Sequence, residues 1–255
     1  MIAAEVEGRR PEAVLEWAYR TFPRVAIVAS FQAESSVLIH MAAAVVERPE
    51  VVTLDTGRLP EETHALIDRV QRRYPIRLHV QSPDPDEVAE LIAAGGPNLF
   101  RASVELRHRC CEVRKVRPLA RALAGFDAWV TGLRREQAAT RAATPVVQAD
   151  RAHGGIAKIA PLVAWSRERV WSYIRAHELD YHELYERGYT SIGCAPCTRA
   201  VEAGEDERAG RWWWEQSDAK ECGLHWTEDG LVRASGKGGL ASMRSRRSLR
   251  GWSSR

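Results

Sequence analysis

The chain has five cysteines, Cys110, Cys111, Cys194, Cys197 and Cys222, and their spacing divides them into two pairs and a singleton. The pairs, in "RCCEVRK" and "GCAPC", offer four thiolates, a donor set that suits zinc or an iron-sulfur cluster. A fold can close the sequence gap between them at modest entropic cost. Neighbouring side chains on a helix diverge, so the adjacent Cys110 and Cys111 favour a multi-iron cluster, whose ligand positions are spread, over a tetrahedral zinc ion. The competing reading makes Cys110 and Cys111 packing residues and "CAPC" a thioredoxin-type dithiol, although such a dithiol follows an early strand of a small domain. An odd count without an export signal argues against a disulfide framework.

The singleton lies in "KECGLH", between Lys220 and His225. A thiol with an ordinary pKa of about 8.5 needs nearby positive charge to be a nucleophilic thiolate at neutral pH, and these two side chains can supply some. Gly223 lets the backbone bend or approach a ligand. An unreactive thiol near the chain end is the level alternative. A third feature is "SFQAESS", small and polar residues between an apolar run and a helical pattern, the general form of an anion cradle. It matches neither the Walker lysine loop nor the Rossmann glycine pattern. Arg134, Arg135 and Arg141, Arg114 and Lys115, and Arg208 and Arg211 follow strand ends or flank the cysteines. Scattered arginines are usually solvated surface, but so placed they can neutralise a multiply charged ligand through bidentate contacts.

Positioning these groups is the task of an α/β core. "RVAIVASF" reads as a buried strand and "VVTLD" and "IRLHVQ" as a second and a third strand, each followed by a helical pattern: "QAESSVLIHMAAAVVE", "PEETHALIDRVQRRY" and "PDEVAELIAAGG". An early helix "PEAVLEWAYRTF" precedes them, "VELRHRCCEVRKVRPLARALAG" reads as one helix carrying the paired cysteines, "AWVTGL" as a strand, and "SRERVWSYIRAHEL" as a helix capped by Ser166. Alternating strands and helices predict a mainly parallel sheet flanked by helices, with ligands at the carboxyl ends of the strands, after Ser30 and Asp55.

Length and composition set the class. The 255 residues are 45% hydrophobic and 28% charged, the range of an ordinary globular protein with one sizeable core. No apolar run reaches membrane-spanning length and the N-terminus has no secretory pattern, so the expected location is cytoplasmic. The net charge of +3 belongs to residues 231–255, which hold seven Arg or Lys and no Asp or Glu; the preceding 230 residues sum to −4. A basic tail of this Gly, Ser and Arg composition reads as solvated chain, and the core shows no basic nucleic-acid footprint. The expected organisation is a domain over 1–215, a C-terminal catalytic segment over 216–230 and the unstructured basic tail over 231–255.

Together, "SFQAESSVLI", "LDTGRLPEET", "LFRASVELRHRCCEVRKVRPLARAL", "GLRREQAATR", "GCAPCTR", "GRWWWE" and "KECGLH" resemble the assimilatory adenylyl-sulfate reductases, the iron-sulfur branch of the 3'-phosphoadenylyl-sulfate reductase family. The stretches run in the family's order from about residue 24 to 225. The resemblance implies a PP-loop adenine-nucleotide α-hydrolase-like fold with a mobile C-terminal segment. It implies a 4Fe-4S cluster on Cys110, Cys111, Cys194 and Cys197, and Cys222 as the nucleophile that attacks the sulfuryl sulfur of adenylyl sulfate. AMP then leaves an S-sulfocysteine, from which reduced thioredoxin, a separate protein, releases sulfite. By similarity Lys115, Arg208, Arg211 and His225 serve the sulfate end. Ser30, Phe31, Asp55, Thr56, Gly57, Arg134 and Arg141 serve the nucleotide.

There are two departures: Gln32 stands where the family's first loop has Gly, and Ser35 where it has Asp. They bring into question close backbone approach at 32 and an acidic role at 35. The chain also runs about thirty residues past "KECGLH". Alternatives are the same chemistry on 3'-phosphoadenylyl sulfate, an ATP-dependent tRNA-thiolating PP-loop enzyme, which would be expected to carry SGGxDS and a basic RNA face, and a zinc-stabilised binding module, which would leave "KECGLH" unexplained.

Overall fold

The computed structural model describes residues 5–215. Cys222 and His225, the expected segment 216–230 and the basic tail lie outside the described residues.

Six strands form one sheet in the order β3-β2-β1-β4-β6-β5. They are β1 (Val25–Val28), β2 (Glu50–Leu54), β3 (Arg77–Gln81), β4 (Ala128–Val130), β5 (Val147–Asp150) and β6 (Ile156–Ile159). All neighbours run parallel except β5, which pairs antiparallel with β6 from Val147↔Ile159 to Asp150↔Ile156. The expected mainly parallel sheet is present. The β5–β6 hairpin is an addition that periodicity does not reveal, because each strand has only four residues. The one local signal is Gly154-Gly155, both left-handed, at the turn.

Side-chain alternation along the strands builds two cores. Val25, Ile27, Val51 and Val130 face helices α1 (Pro11–Thr21), α2 (Ala33–Val45), α3 (Glu61–Arg73) and α7 (Arg167–Ala176). Ala26, Val52 and Trp129 face α6 (Arg117–Leu123), which contributes Leu119 and Leu123. Helix α2 is apolar nearly all round and is accordingly buried between sheet and helices. The Ser166 side chain caps α7 as expected, accepting from the Arg169 N–H at 3.2 Å.

The long helix expected over 104–125 is interrupted. Helix α5 (Val104–Cys111) passes into a π-helical turn, Glu112–Val116, before α6. Pro118 supplies the reason: it has no N–H for the carbonyl four residues back, and its ring crowds that turn. The wider turn falls on Arg114 and Lys115, next to the cysteine pair. A third apolar layer joins α5, α4 (Pro85–Ala93) and the C-terminal loops, with Leu91, Leu99, Phe100 and Trp212 packed around Cys110, Cys111, Cys194 and Cys197.

Candidate active site

Strands β1 and β4 are neighbours, yet the chain winds from β1 towards β2 on one side and from β4 towards β6 on the other. Such a switch point leaves a crevice beyond the strand ends. A cavity of about 170 Å³ occupies it, walled by Val28, Ala29 and Ser30 at the end of β1, Leu54 and Thr56 at the end of β2, and Thr131 and Gly132 after β4.

The loop after β1 is a built structure rather than an open cradle. Phe31 is fully buried with φ +54°, a conformation that costs a non-glycine residue about 1–3 kcal/mol and survives only where its surroundings enforce it. Gln32 is extended, with φ −83°, so position 32 does not require the glycine of the resembled motif. The first N–H of α2, at Ala33, donates to the Tyr185 hydroxyl at 3.1 Å, and the Ser30 N–H donates to Ser35 Oγ at 3.1 Å. Ser35 therefore braces the turn from within, and several amides that an empty cradle would offer are already used. The groups facing the cavity are Ser30, Gln32, Glu34 and Ser35.

The cations divide into two sets. Lys115, Arg141, Arg208 and Arg211 line the cavity. Arg134 does not. It is 1% exposed and its guanidinium meets Glu34 at 2.7 Å, Glu136 at 3.0 Å and Glu207 at 3.2 Å. Three carboxylates occupy its fork, so it ties the β4 loop to α2 and to the 205–208 loop instead of reaching into the crevice. Burial raises the Glu207 carboxyl above its ordinary pKa despite the Arg134 contact. Arg135 turns outward to Glu7 at 3.0 Å.

Of the remaining expected substrate residues, Ser30 and Thr56 line the cavity, whereas Phe31, Asp55 and Gly57 do not. Phe31 is locked in the core. Asp55 accepts from the Gly57 N–H at 2.9 Å and faces His64 at 3.6 Å, which makes it the brace of its own turn. Gly57, at φ +68°, supplies that turn's left-handed residue.

The four cysteines of the two pairs are all buried, and none is in a disulfide among the described residues. Cys110 and Cys111 end α5, while Cys194 precedes and Cys197 ends a 3₁₀ turn whose Ala195 N–H donates to the Arg58 carbonyl at 2.8 Å. Thr56 Oγ1 hydrogen-bonds Cys194 Sγ at 3.3 Å, and Arg114 Nη1 donates to the Thr56 carbonyl at 2.7 Å. Burial alone would push the Cys194 thiol up, but Lys115, the Thr56 hydroxyl, Arg211 and Arg114 together bring it below the ordinary thiol value. Cys197 is pushed up to about 11, chiefly by burial and next by the neighbouring Cys194, against Lys115 and Arg211. Burial also raises Cys110, against Arg114.

Two observations bear on what this quartet could hold. Among the described residues, no three His, Cys, Asp or Glu side chains are gathered as for a single metal ion. Three buried donors around the quartet, Arg114 Nε, Arg211 Nε and Trp212 Nε1, have no hydrogen-bond acceptor among the described residues. Orphaned N–H groups beside thiols are what a polynuclear thiolate-sulfide group would satisfy, since it is larger than one ion and presents several sulfur acceptors.

Sequence reasoning did not single out Arg107, Trp212 or Glu215. Arg107 is buried on α5 and grips Glu215 through two bonds of 2.7 and 3.0 Å. Trp212, at φ +44°, is covered by the guanidiniums of Arg107 at 4.5 Å and Arg211 at 4.7 Å. The run "RWWWE" was visible as a motif, but nothing in it said which tryptophan would be sandwiched.

The chain matches the family described as "Phosphoadenosine phosphosulfate reductase domain" over residues 24–200. A protein of Burkholderia cepacia named "Adenosine 5'-phosphosulfate reductase" is 45% identical over 240 residues, covering 94% of this chain and 95% of its own. One of the same name from Allochromatium vinosum is 49% identical over 206 residues, covering 81% of this chain and 80% of its own. Among solved structures, the phosphoadenylyl-sulfate (PAPS) reductase from Candida auris, a phosphate complex, superposes with a TM-score of 0.65 at 29% identity, over 76% of this chain and 91% of that one. The FMN adenylyltransferase of Candida glabrata, at 17% identity and TM-score 0.54 over 76% of this chain and 66% of that one, shares the fold.

Proposed function

Because the chain belongs to the phosphoadenosine phosphosulfate reductase domain family, we propose that it is an oxidoreductase reducing adenylyl sulfate to sulfite and AMP in sulfate assimilation. The observation that carries the reading is the convergence of Lys115, Arg141, Arg208 and Arg211 on a crevice at the β1/β4 switch point, directly beside four buried cysteines. That site suits an adenine nucleotide carrying a second anionic group.

In this reading the adenosine lies across the ends of β1, β2 and β4, with Ser30 and Arg141 at the phosphate. Lys115, Arg208 and Arg211, with His225, take the sulfuryl group. The attacking group is the Cys222 thiolate, which would be repelled by two anions without those cations; each positioned donor of this kind contributes about 3–4 kcal/mol to the transition state. Cys222 Sγ bonds to the sulfuryl sulfur, the S–O bond to phosphate breaks, and the electron pair leaves with AMP. A thiolate of reduced thioredoxin then attacks Cys222 Sγ and displaces sulfite. The second thioredoxin thiol resolves the mixed disulfide, so thioredoxin supplies both electrons.

Cys110, Cys111, Cys194 and Cys197 would hold a 4Fe-4S cluster, a reading supported by their shared buried layer and by the orphaned N–H donors around them. When bound, the group supplies a fixed electrostatic field beside Lys115 rather than electrons to the substrate. No helix among the described residues is long and apolar enough to cross a membrane, consistent with a reaction on diffusible nucleotides and a protein reductant.

The test is peptide mass spectrometry on anaerobically purified protein incubated with adenylyl sulfate or its 3'-phospho form without reductant. One SO3 adduct on the Cys222 peptide is expected, formed faster from adenylyl sulfate. Faster labelling by the 3'-phospho form would reassign the substrate; no adduct from either, in protein with its iron intact, would overturn the reductase reading.

A further inference from the structure

Gln32 makes more of its position than a loop residue needs to. Its Oε1 accepts from the Ile192 N–H at 2.8 Å, and its Nε2 donates to Ser30 Oγ at 3.2 Å. The loop after β1 is thereby tied to the loop that leads into Cys194. The same Ile192 residue is held at its other end: its carbonyl accepts from Arg211 Nη1 at 3.3 Å, and Arg211 Nη1 also lies 3.5 Å from Ser191 Oγ. Gly193 completes the arrangement, since a Cβ there would collide with the Arg211 guanidinium. A continuous path therefore runs from Ser30 through Gln32 and Ile192 to Arg211, and both of its end residues line the cavity.

Resting on the reductase reading above, we propose that Gln32 is a positioning residue: by gripping Ile192 it sets the Arg211 guanidinium for the sulfuryl group of the substrate. The physical demand is clear. Ile192 is buried, and an unpartnered buried N–H costs about 1–3 kcal/mol, so without Gln32 its loop must shift to find another acceptor. Residues Thr190–Gly193 belong to no helix or strand that would resist the shift. Arg211 would move with the carbonyl it holds, and a misplacement of about 1 Å at a reacting centre can cost on the order of 100-fold in rate. In the resembled loop motif the equivalent residue is glycine, which has no side chain for this bridge; this chain has one.

The experiment separates the sulfuryl end from the nucleotide. In holoprotein carrying Cys222→Ser, which removes the sulfur acceptor, calorimetry gives Kd for AMP and for adenylyl sulfate with Gln32 intact, as Gln32→Met and as Gln32→Gly. The expected result is a preference for adenylyl sulfate over AMP, taken as the ratio of the two Kd values, reduced about 10-fold in both variants; any loss through Ser30 is common to both ligands and cancels in that ratio. With Arg211→Lys already present, Gln32→Met should change that preference by less than about 2-fold, because the route it acts through has been removed. A preserved preference, whether or not AMP binding falls in parallel, or an additive effect in the double variant overturns the proposal. A parallel loss of both ligands would mean a direct nucleotide contact or a collapsed loop. A parent protein that binds neither nucleotide overturns the functional reading and this proposal with it.

Discussion

Two groups of charge reach the same crevice and are built on opposite plans. Around Arg134, one guanidinium faces Glu34, Glu136 and Glu207, its three nitrogens all engaged. Around the cysteine quartet, Arg114, Lys115 and Arg211 gather with no carboxylate as the leading influence on the thiols, and Arg114 Nε and Arg211 Nε lack acceptors among the described residues. A saturated network holds the scaffold, because its charges have nowhere further to go. An electropositive group with two guanidinium N–H groups that lack acceptors among the described residues is suited to an anionic ligand, as the proposed function requires. Arginines that look alike in sequence are separated by this difference into brace and ligand-facing residue.

Breaking the saturated side should have the largest effect on stability. Arg134→Met leaves Glu34 and Glu207 facing each other in a buried site, and loss of one partner of a buried ion pair costs about 3–5 kcal/mol. Denaturant unfolding should show a fall of that size; a loss below about 1 kcal/mol would mean that the network relaxes into solvent. On the other side, Lys115→Ala should lower turnover by about 10²–10³-fold, the effect of removing one positioned electrostatic donor. Unfolding midpoint and visible absorbance should be retained. Loss of the absorbance would make Lys115 a structural support of the cysteine quartet instead.

A pH titration sharpens the comparison on the scaffold side. His182 is fully buried, with Nδ1 accepting from the Leu184 N–H and Nε2 thereby donating to Thr63 Oγ1 at 2.9 Å. Burial pulls its pKa down to about 4. The unfolded chain, near 6.5, takes up the proton first, so this group's contribution is complete above 6.5 and is lost as pH falls from there towards 4. The loss is on the order of 3 kcal/mol. Unfolding free energies at pH 7.5 and 4.5 should therefore differ less in His182→Gln than in the parent, and equal differences would refute the assignment. A smaller stability effect is expected at Trp212→Phe, about 1–2 kcal/mol, since no hydrogen bond of Nε1 among the described residues is lost and only the smaller ring's packing is. A shift in the visible spectrum of the holoprotein with no more loss of stability than that would identify Nε1 as a donor to the bound group.

Most of the fold could be read directly. The strands β1 and β2 are apolar, β-branched runs, whereas β3 is a largely exposed edge strand that mixes Arg77, His79 and Gln81 with Leu78 and Val80; helical patterns separate all three, and the helix starts carry their own signals, such as Asp84 accepting from the N–H groups of Asp86 and Glu87 ahead of α4. The β5–β6 hairpin could not be read, because four residues give no period; Asp150 anchors it by accepting from Trp129 Nε1 at 2.9 Å, a partner 21 residues away. The π turn at Glu112–Val116 follows from Pro118 only once the helix is known to continue through it. At the site, the two cysteine pairs and Lys115, Arg208 and Arg211 were visible by type and neighbourhood. Gln32 was visible only as a departure from a motif, since its use depends on where residue 192 arrives.

The amino-acid sequence by itself determined the chemistry available: which thiols are paired, which is single, and that arginine and lysine cluster near them and after strand ends. Tertiary structure alone decided which of those cations act outward. A guanidinium is neutralised or left available by the carboxylates brought against it, and for Arg134 two of the three come from 100 residues earlier and 73 residues later in the chain. Charge interacts through space, so its role is set by the fold that chooses its neighbours.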